Sequence, residues 1–123
     1  MSSNPQTARS RGAAIEQIAA QWLQQRGLKL VTSNHHVKGG ELDLVMYDRD
    51  TLVFVEVKHR ATTRHGHPLE MVNAQKRRRL IRAATLYLAR HDLACPCRFD
   101  ILAITGRPPA LEFQWEQAAF DAY

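Results

Sequence analysis

GELDLVMYDRDTLVFVEVK, running from Gly40 to Lys58, is two apolar runs separated by the charged trio Asp48-Arg49-Asp50. Runs of this length, rich in Val, Leu and aromatic residues and broken by Asp and Arg, predict two strands, Glu41 to Tyr47 and Leu52 to Lys58, joined as a hairpin. Side chains alternate along a strand, so Val53, Val55 and Val57 share one face, and Leu52, Phe54, Glu56 and Lys58 share the other. Both faces stay apolar until the strand's end, which marks it as central and covered on both sides. A two-residue loop at Arg49-Asp50 and a four-residue loop from Asp48 to Thr51 give the same register. Tyr47 then faces Leu52, Val45 faces Phe54 and Asp43 faces Glu56.

That register has a chemical consequence. Directly opposed residues have Cβ atoms about 4.5–5.5 Å apart, and like charges so placed oppose pairing. One carboxylate would be driven to keep its proton unless a cation lies between the two. Mg²⁺ takes oxygen ligands, commonly one or two carboxylates with water and substrate phosphate. Lys58, two residues beyond Glu56 on the same face, adds an ammonium suited to orienting an attacking water or stabilising developing charge. A Glu-x-Lys pair on a strand is by itself common, and an exposed pair contributes little. Here the charges end an apolar strand and Asp43 stands opposite, so a metal site is expected.

Outward from the hairpin, Ile15, Ile18, Ala19, Trp22 and Leu23 recur at helical spacing over Ser10 to Arg26, with Gly27 placed as a C-cap. Leu28 to Thr32 reads as a short strand and Ser33 to His36 as the polar stretch after it. Lys38-Gly39-Gly40 reads as a turn. Downstream, His59 to Pro68 reads as a loop. A second helix over Asn73 to His91 buries Leu80, Ala83, Ala84, Tyr87 and Leu88. Arg98 to Thr105 and Leu111 to Trp115 are the remaining strands, separated by Gly106-Arg107-Pro108-Pro109. Glu116 to Phe120 is read as a helical turn. The order α-β-β-β-α-β-β predicts one mixed β-sheet flanked by helices, in the α/β class.

The 123 residues suffice for a single domain, expected over 11–123 behind a flexible tail of residues 1–10. Seventeen Lys and Arg against twelve Asp and Glu leave a net charge of +5, which favours anionic partners. The polar N-terminus has no apolar run of signal-peptide length, and no stretch reaches the ~20 apolar residues of a membrane span. Cys95 and Cys97, separated by Pro96, are too close to bridge one another and read as two reduced thiols. A cytoplasmic location without membrane association is expected.

Asp43, the dozen residues after it, and Glu56-Val57-Lys58 together resemble the PD-(D/E)XK nuclease signature of restriction enzymes and Holliday junction resolvases. The match is closer to the YraN-like family of small bacterial proteins. It runs through Gly40-Glu41-Leu42-Asp43-Leu44, Val53-Phe54-Val55-Glu56-Val57-Lys58 and Arg60, then Lys76, Arg98-Phe99-Asp100 and Ala119-Phe120. Leu42 departs from the signature, which has Pro at that place. The resemblance implies a restriction-endonuclease-like fold and a Mg²⁺- or Mn²⁺-dependent endonuclease. Asp43 and Glu56 would hold the metal with the Val57 carbonyl, and Lys58 would complete the site. Related nucleases often add a carboxylate from the first helix, where Glu16 stands; a solvated helix-edge carboxylate is the competing reading. Glu41, on the same face as Asp43, is a spare ligand or a rim charge.

Beside such a motif, the basic run Lys76 to Arg79 with Arg82 is expected to contact nucleic-acid phosphate. Lys76 aligns with Leu80, Ala83 and Tyr87 and so points inward, whereas Arg77, Arg78 and Arg82 face solvent. Arg60 and Arg64 follow Lys58 and are assigned the same task. His35, His36, His65 and His67 form no recognisable zinc pattern and read as exposed loop histidines. Asp100 suits a structural hydrogen bond as well as catalysis. The expected substrate is DNA before RNA, with branched or damaged forms in view. The alternative is a non-catalytic nucleic-acid-binding or complex-forming module on a nuclease scaffold. A homodimer and a protein partner are both compatible with so small a chain.

Overall fold

A computed structural model describes residues 8–38, 40–62, 64, 66 and 73–121. Its elements are α1 (Ala8–Gln24), β1 (Lys29–Val37), β2 (Gly40–Asp48), β3 (Thr51–Arg60), α2 (Ala74–Arg90), β4 (Cys97–Arg107) and β5 (Ala110–Phe120), the expected order. They build an open five-stranded sheet in the order β1-β2-β3-β4-β5. Only β3 and β4 run parallel; the other neighbours are antiparallel. β3 is the middle strand, as its two apolar faces require.

The two faces carry separate cores. Leu52 and Phe54 pack with Leu80, Ala83, Ala84 and Tyr87 of α2. Val53 and Val55 pack with Ala19, Ala20 and Leu23 of α1. The helices therefore cover opposite faces of the sheet. α1 stops where Gly27 takes φ +99° and its N–H bonds the Gln24 carbonyl, while the Leu28 N–H reaches back to that of Leu23. This is a Schellman ending, in which glycine escapes the steric penalty of the left-handed conformation. α2 starts at an N-cap, Asn73, whose side chain accepts the Lys76 N–H at 2.9 Å. No described helix is long and apolar enough to cross a membrane.

Several boundaries differ from expectation. α1 begins at Ala8 rather than Ser10; residues 1–7 of the expected tail lie outside the described residues. β1 runs on through Ser33 to His36, because β2 offers a continuous ladder to pair with. His59 and Arg60 extend β3 instead of opening a loop, held by the parallel pairing to Ile104 and Thr105. Of the loop expected from His59 to Pro68, residues 63, 65, 67 and 68, His65 and His67 among them, lie outside the described residues. Glu116 to Phe120 is strand, not a helical turn. The register of β5 against β4 shifts between Phe99↔Phe120 and Ile101↔Glu116, so the extra residues form a bulge. Ala118 sits there at φ +50° and donates its N–H to Asp100. Local sequence at such a bulge resembles a turn, and only pairing with β4 makes it strand.

Candidate active site

The hairpin holds the expected register from Asp48↔Thr51 through Val45↔Phe54 to Leu44↔Val55, its last paired rung. Beyond it the two strands part. Leu44 packs in the core under α1, yet Leu42, two residues earlier, packs in the core under α2. The in-out alternation thus slips at Asp43, and the carboxylate turns into the gap between the strands. There Asp43 Oδ2 accepts the Val57 N–H at 2.9 Å, supplying the partner that β2 no longer provides. Leu42, where the signature has Pro, is 1% exposed and pairs with His35 of β1, which gives that position a packing role.

Glu56 is 3% exposed at the end of the middle strand. Its Oε2 receives two ammonium groups, Lys58 Nζ at 3.1 Å and Lys76 Nζ at 3.2 Å. Lys76 comes from the first turn of α2, on the inward line expected for it. A carboxylate this buried needs such compensation to remain charged. Asp43 is placed otherwise. Burial, then the neighbouring Glu56 charge, push its carboxyl from an ordinary 3.8 up to about 9. The protonated group then shares a hydrogen bond with Glu56.

α1 brings in Glu16, which lies against the sheet and not free in solvent. Its carboxyl is raised by burial, an effect opposed by a hydrogen bond with Asp43. One oxygen, Oε1, is buried with no partner. Carboxylate oxygens of Glu16, Glu41 and Asp43 all lie within 4.8 Å of one another. The tightest acidic group among the described residues therefore joins Asp43 to Glu16 and Glu41. Glu56 stands at its edge, committed to two lysines. The sequence placed Glu41 on the face of Asp43 as a spare ligand or a rim charge; that it lies within reach of Glu16 comes only from the fold. The donor set is all oxygen, which suits a hard divalent cation. An orphaned buried oxygen and a carboxyl held protonated by burial and by its neighbours are both relieved by such an ion.

Two hollows adjoin the group. On the α2 side a polar cleft of about 420 Å³ is lined by His36, Gly40, Glu41, Lys76, Arg79 and Leu80. On the α1 side a cavity of about 520 Å³ is bordered by Glu16 and Val57. Arg79, within the expected basic run, lines the cleft beside Glu41, whereas Arg78 and Arg82 do not. Helical phase explains it, since Arg79 is three residues from the inward Lys76. Arg77 is exposed and lies over the Phe120 ring, 5.5 Å from its centroid. Arg60 ends β3 close to Lys58 in sequence, and Arg64 is exposed beyond it, its N–H on the Thr62 hydroxyl.

Asp100 belongs elsewhere. Fully buried in β4, it accepts hydrogen bonds from Arg98 Nε at 3.0 Å, Trp115 Nε1 at 2.9 Å and the Ala118 N–H at 3.0 Å. Arg98 also bonds Asp48 at 2.8 Å. The residue is the brace of the β5 bulge. The histidines are corrected too: His35 lies in β1, half-buried, edge-on to Tyr87 at 5.2 Å, and is not an exposed loop residue. Cys95 and Cys97 are both free thiols.

Comparison with known proteins agrees across the chain. A family model described as "Uncharacterised protein family UPF0102" matches residues 15–104, which include every carboxylate of the site. A UPF0102 protein of Chromohalobacter salexigens is 54% identical over the full length of both chains. One from Xanthomonas axonopodis pv. citri is 47% identical over 96% of this chain and 97% of its own. Another, from Nitrosococcus oceani, is 43% identical over 94% and 95%. The chain belongs to the UPF0102, or YraN-like, family.

Proposed function

We propose that the protein is a Mg²⁺- or Mn²⁺-dependent endonuclease that hydrolyses phosphodiester bonds in nucleic acid, DNA before RNA. The observation that carries this reading is the group Glu16, Glu41 and Asp43, with its orphaned Glu16 oxygen, set against the Glu56–Lys58 pair. The strand order and the parting of β2 from β3 at the carboxylates support a restriction-endonuclease-like fold. Bound there, the cation supplies the positive charge that a phosphoryl group in displacement requires. Asp43 and Glu16 would hold it, with Glu41 and the Val57 carbonyl within reach of the same place. Glu56 fixes Lys58, and Lys58 positions the attacking water beside the phosphorus. Lys76, on the same Glu56 oxygen, turns a second cation toward the incoming phosphate. Arg60, Arg64, Arg77, Arg78 and Arg82 contact the backbone on either side. A second copy of the chain or a partner protein would supply the surface that selects the substrate.

The test compares wild type with Glu56→Gln on labelled duplex, single-stranded and four-way-junction DNA, and on RNA, in Mg²⁺, Mn²⁺ or EDTA. Cleavage is expected to need the metal. It should fall about a hundredfold or more in the variant, the scale of a preorganised charged group in a water-poor site. Equal cutting by both proteins would sink the assignment. One observation favours a second reading, a binding module with little turnover: one Glu56 oxygen is taken by two lysines, and Glu56 lies outside the group of Glu16, Glu41 and Asp43. Salt-sensitive binding without cleavage in any metal would select it.

A further inference from the structure

The two hollows beside the carboxylates differ in chemistry, and the difference names a substrate feature. Beyond Glu16, the 520 Å³ cavity on the α1 side is walled by Gly12, Ile15, Ile18, Val57 and Pro108. Its rim carries the His59 ring, fixed by a 2.8 Å hydrogen bond between Nε2 and the Gly106 carbonyl. Apolar walls with one or two polar groups at the rim suit a flat heteroaromatic ring, and the volume lies within the range of small-ligand sites. The cleft on the α2 side instead presents Lys76 and Arg79, which suit phosphate. Glu16 borders the cavity and Glu41 borders the cleft, and their carboxylate oxygens lie within 4.8 Å of each other. A base and its own phosphate are joined by one sugar, so a single nucleotide can span the two.

We infer that the α1-side cavity receives a nucleobase turned out of its stack, so that the site acts next to an unpaired or unstacked nucleotide. This rests on the nuclease reading for the phosphate's position. In a regular duplex the bases face one another and none can enter the cavity. Turning one out costs a few kcal/mol in a paired site and least where the base is already unpaired. Selection for bulged, mismatched or single-stranded positions follows without any base-specific hydrogen bond.

The cavity can be filled without disturbing the core. A Cβ at Gly12 would meet nothing within 4 Å, and replacing a helical glycine favours the helix. Gly12 lines the cavity, so Gly12→Phe adds a ring at its wall; Ile18→Trp, six residues further along α1 on the same lining, is the second variant. The probe is a DNA duplex with one unpaired 2-aminopurine, whose fluorescence rises when it leaves the stack. It is followed together with anisotropy in Ca²⁺. Wild type is expected to bind with a severalfold rise in fluorescence. Both variants, their circular dichroism and melting unchanged, should lose the rise and bind about tenfold more weakly, the factor of a lost base contact. On the same duplex with an abasic nucleotide, variants and wild type should bind alike. No binding, no rise with wild type, a rise retained in both variants, or equal losses on the abasic duplex would each overturn the inference. If cutting depends on Glu56 but no rise occurs, the cavity assignment falls alone. A rise lost in Gly12→Phe, with no Glu56-dependent cutting, supports the cavity and removes the nuclease reading.

Discussion

Asp43 is the residue on which the site turns, because it does two jobs that conflict. As a backbone acceptor for Val57 it closes the gap between β2 and β3; buried, and beside Glu56 and Glu16, it cannot easily hold a charge. Its folded value near 9 against an ordinary 3.8 means that the metal-free folded state binds a proton that the unfolded chain releases. Stability should therefore fall as pH rises from about 4 to about 9, with a slope approaching one proton. Asp43→Asn keeps an acceptor for Val57 and removes the titration, so urea unfolding of the metal-free variant should show a flatter pH profile and higher stability at pH 8. An unchanged slope would mean that the carboxyl is already ionised. Mg²⁺ must displace the same proton, so its affinity should rise across that window and proton release should accompany binding.

At the scale of elements, the site depends on where two helices begin and on which turn of each faces the sheet. Lys76 reaches Glu56 only because α2 starts at Asn73, whose side chain holds the Lys76 N–H. Asn73→Ala should cost about 1 kcal/mol of stability, read as a lower urea midpoint with unchanged slope. If fraying then frees Lys76, nucleic-acid affinity should fall along with it; a stability loss with affinity intact would separate the cap from the site. Much at this scale was legible beforehand. The hairpin register, the middle position of β3 and the buried stripe of α2 follow from apolar periods of two and of about 3.6 residues. The β5 bulge was not. Glu116 to Phe120 carries no signal for it, because the bulge is braced by Asp100 from another strand.

The whole molecule carries net charge +5, and α2 presents Arg78 and Arg82 to solvent on the same helix that lends Lys76 and Arg79 to the cleft. If these arginines neutralise phosphates, replacing both with Gln should reduce the slope of log affinity against log salt on duplex DNA by about 2, equally for unrelated sequences. A slope unchanged by the substitutions would place the nucleic acid on another face. Chain order determined a good deal by itself: the seven elements, the two-faced middle strand, the proximity of Asp43 to Glu56 and the family, all from local periodicity and a long motif that departs from its signature at Leu42. The tertiary structure alone decided that Glu16 and Glu41 join Asp43, that Lys58 and Lys76 converge on one Glu56 oxygen, and that Asp100 braces a bulge. The reason is physical. Local rules govern which way a side chain faces within its own element, but distances between α1, β2 and α2 are set by how two apolar cores pack against opposite faces of one sheet.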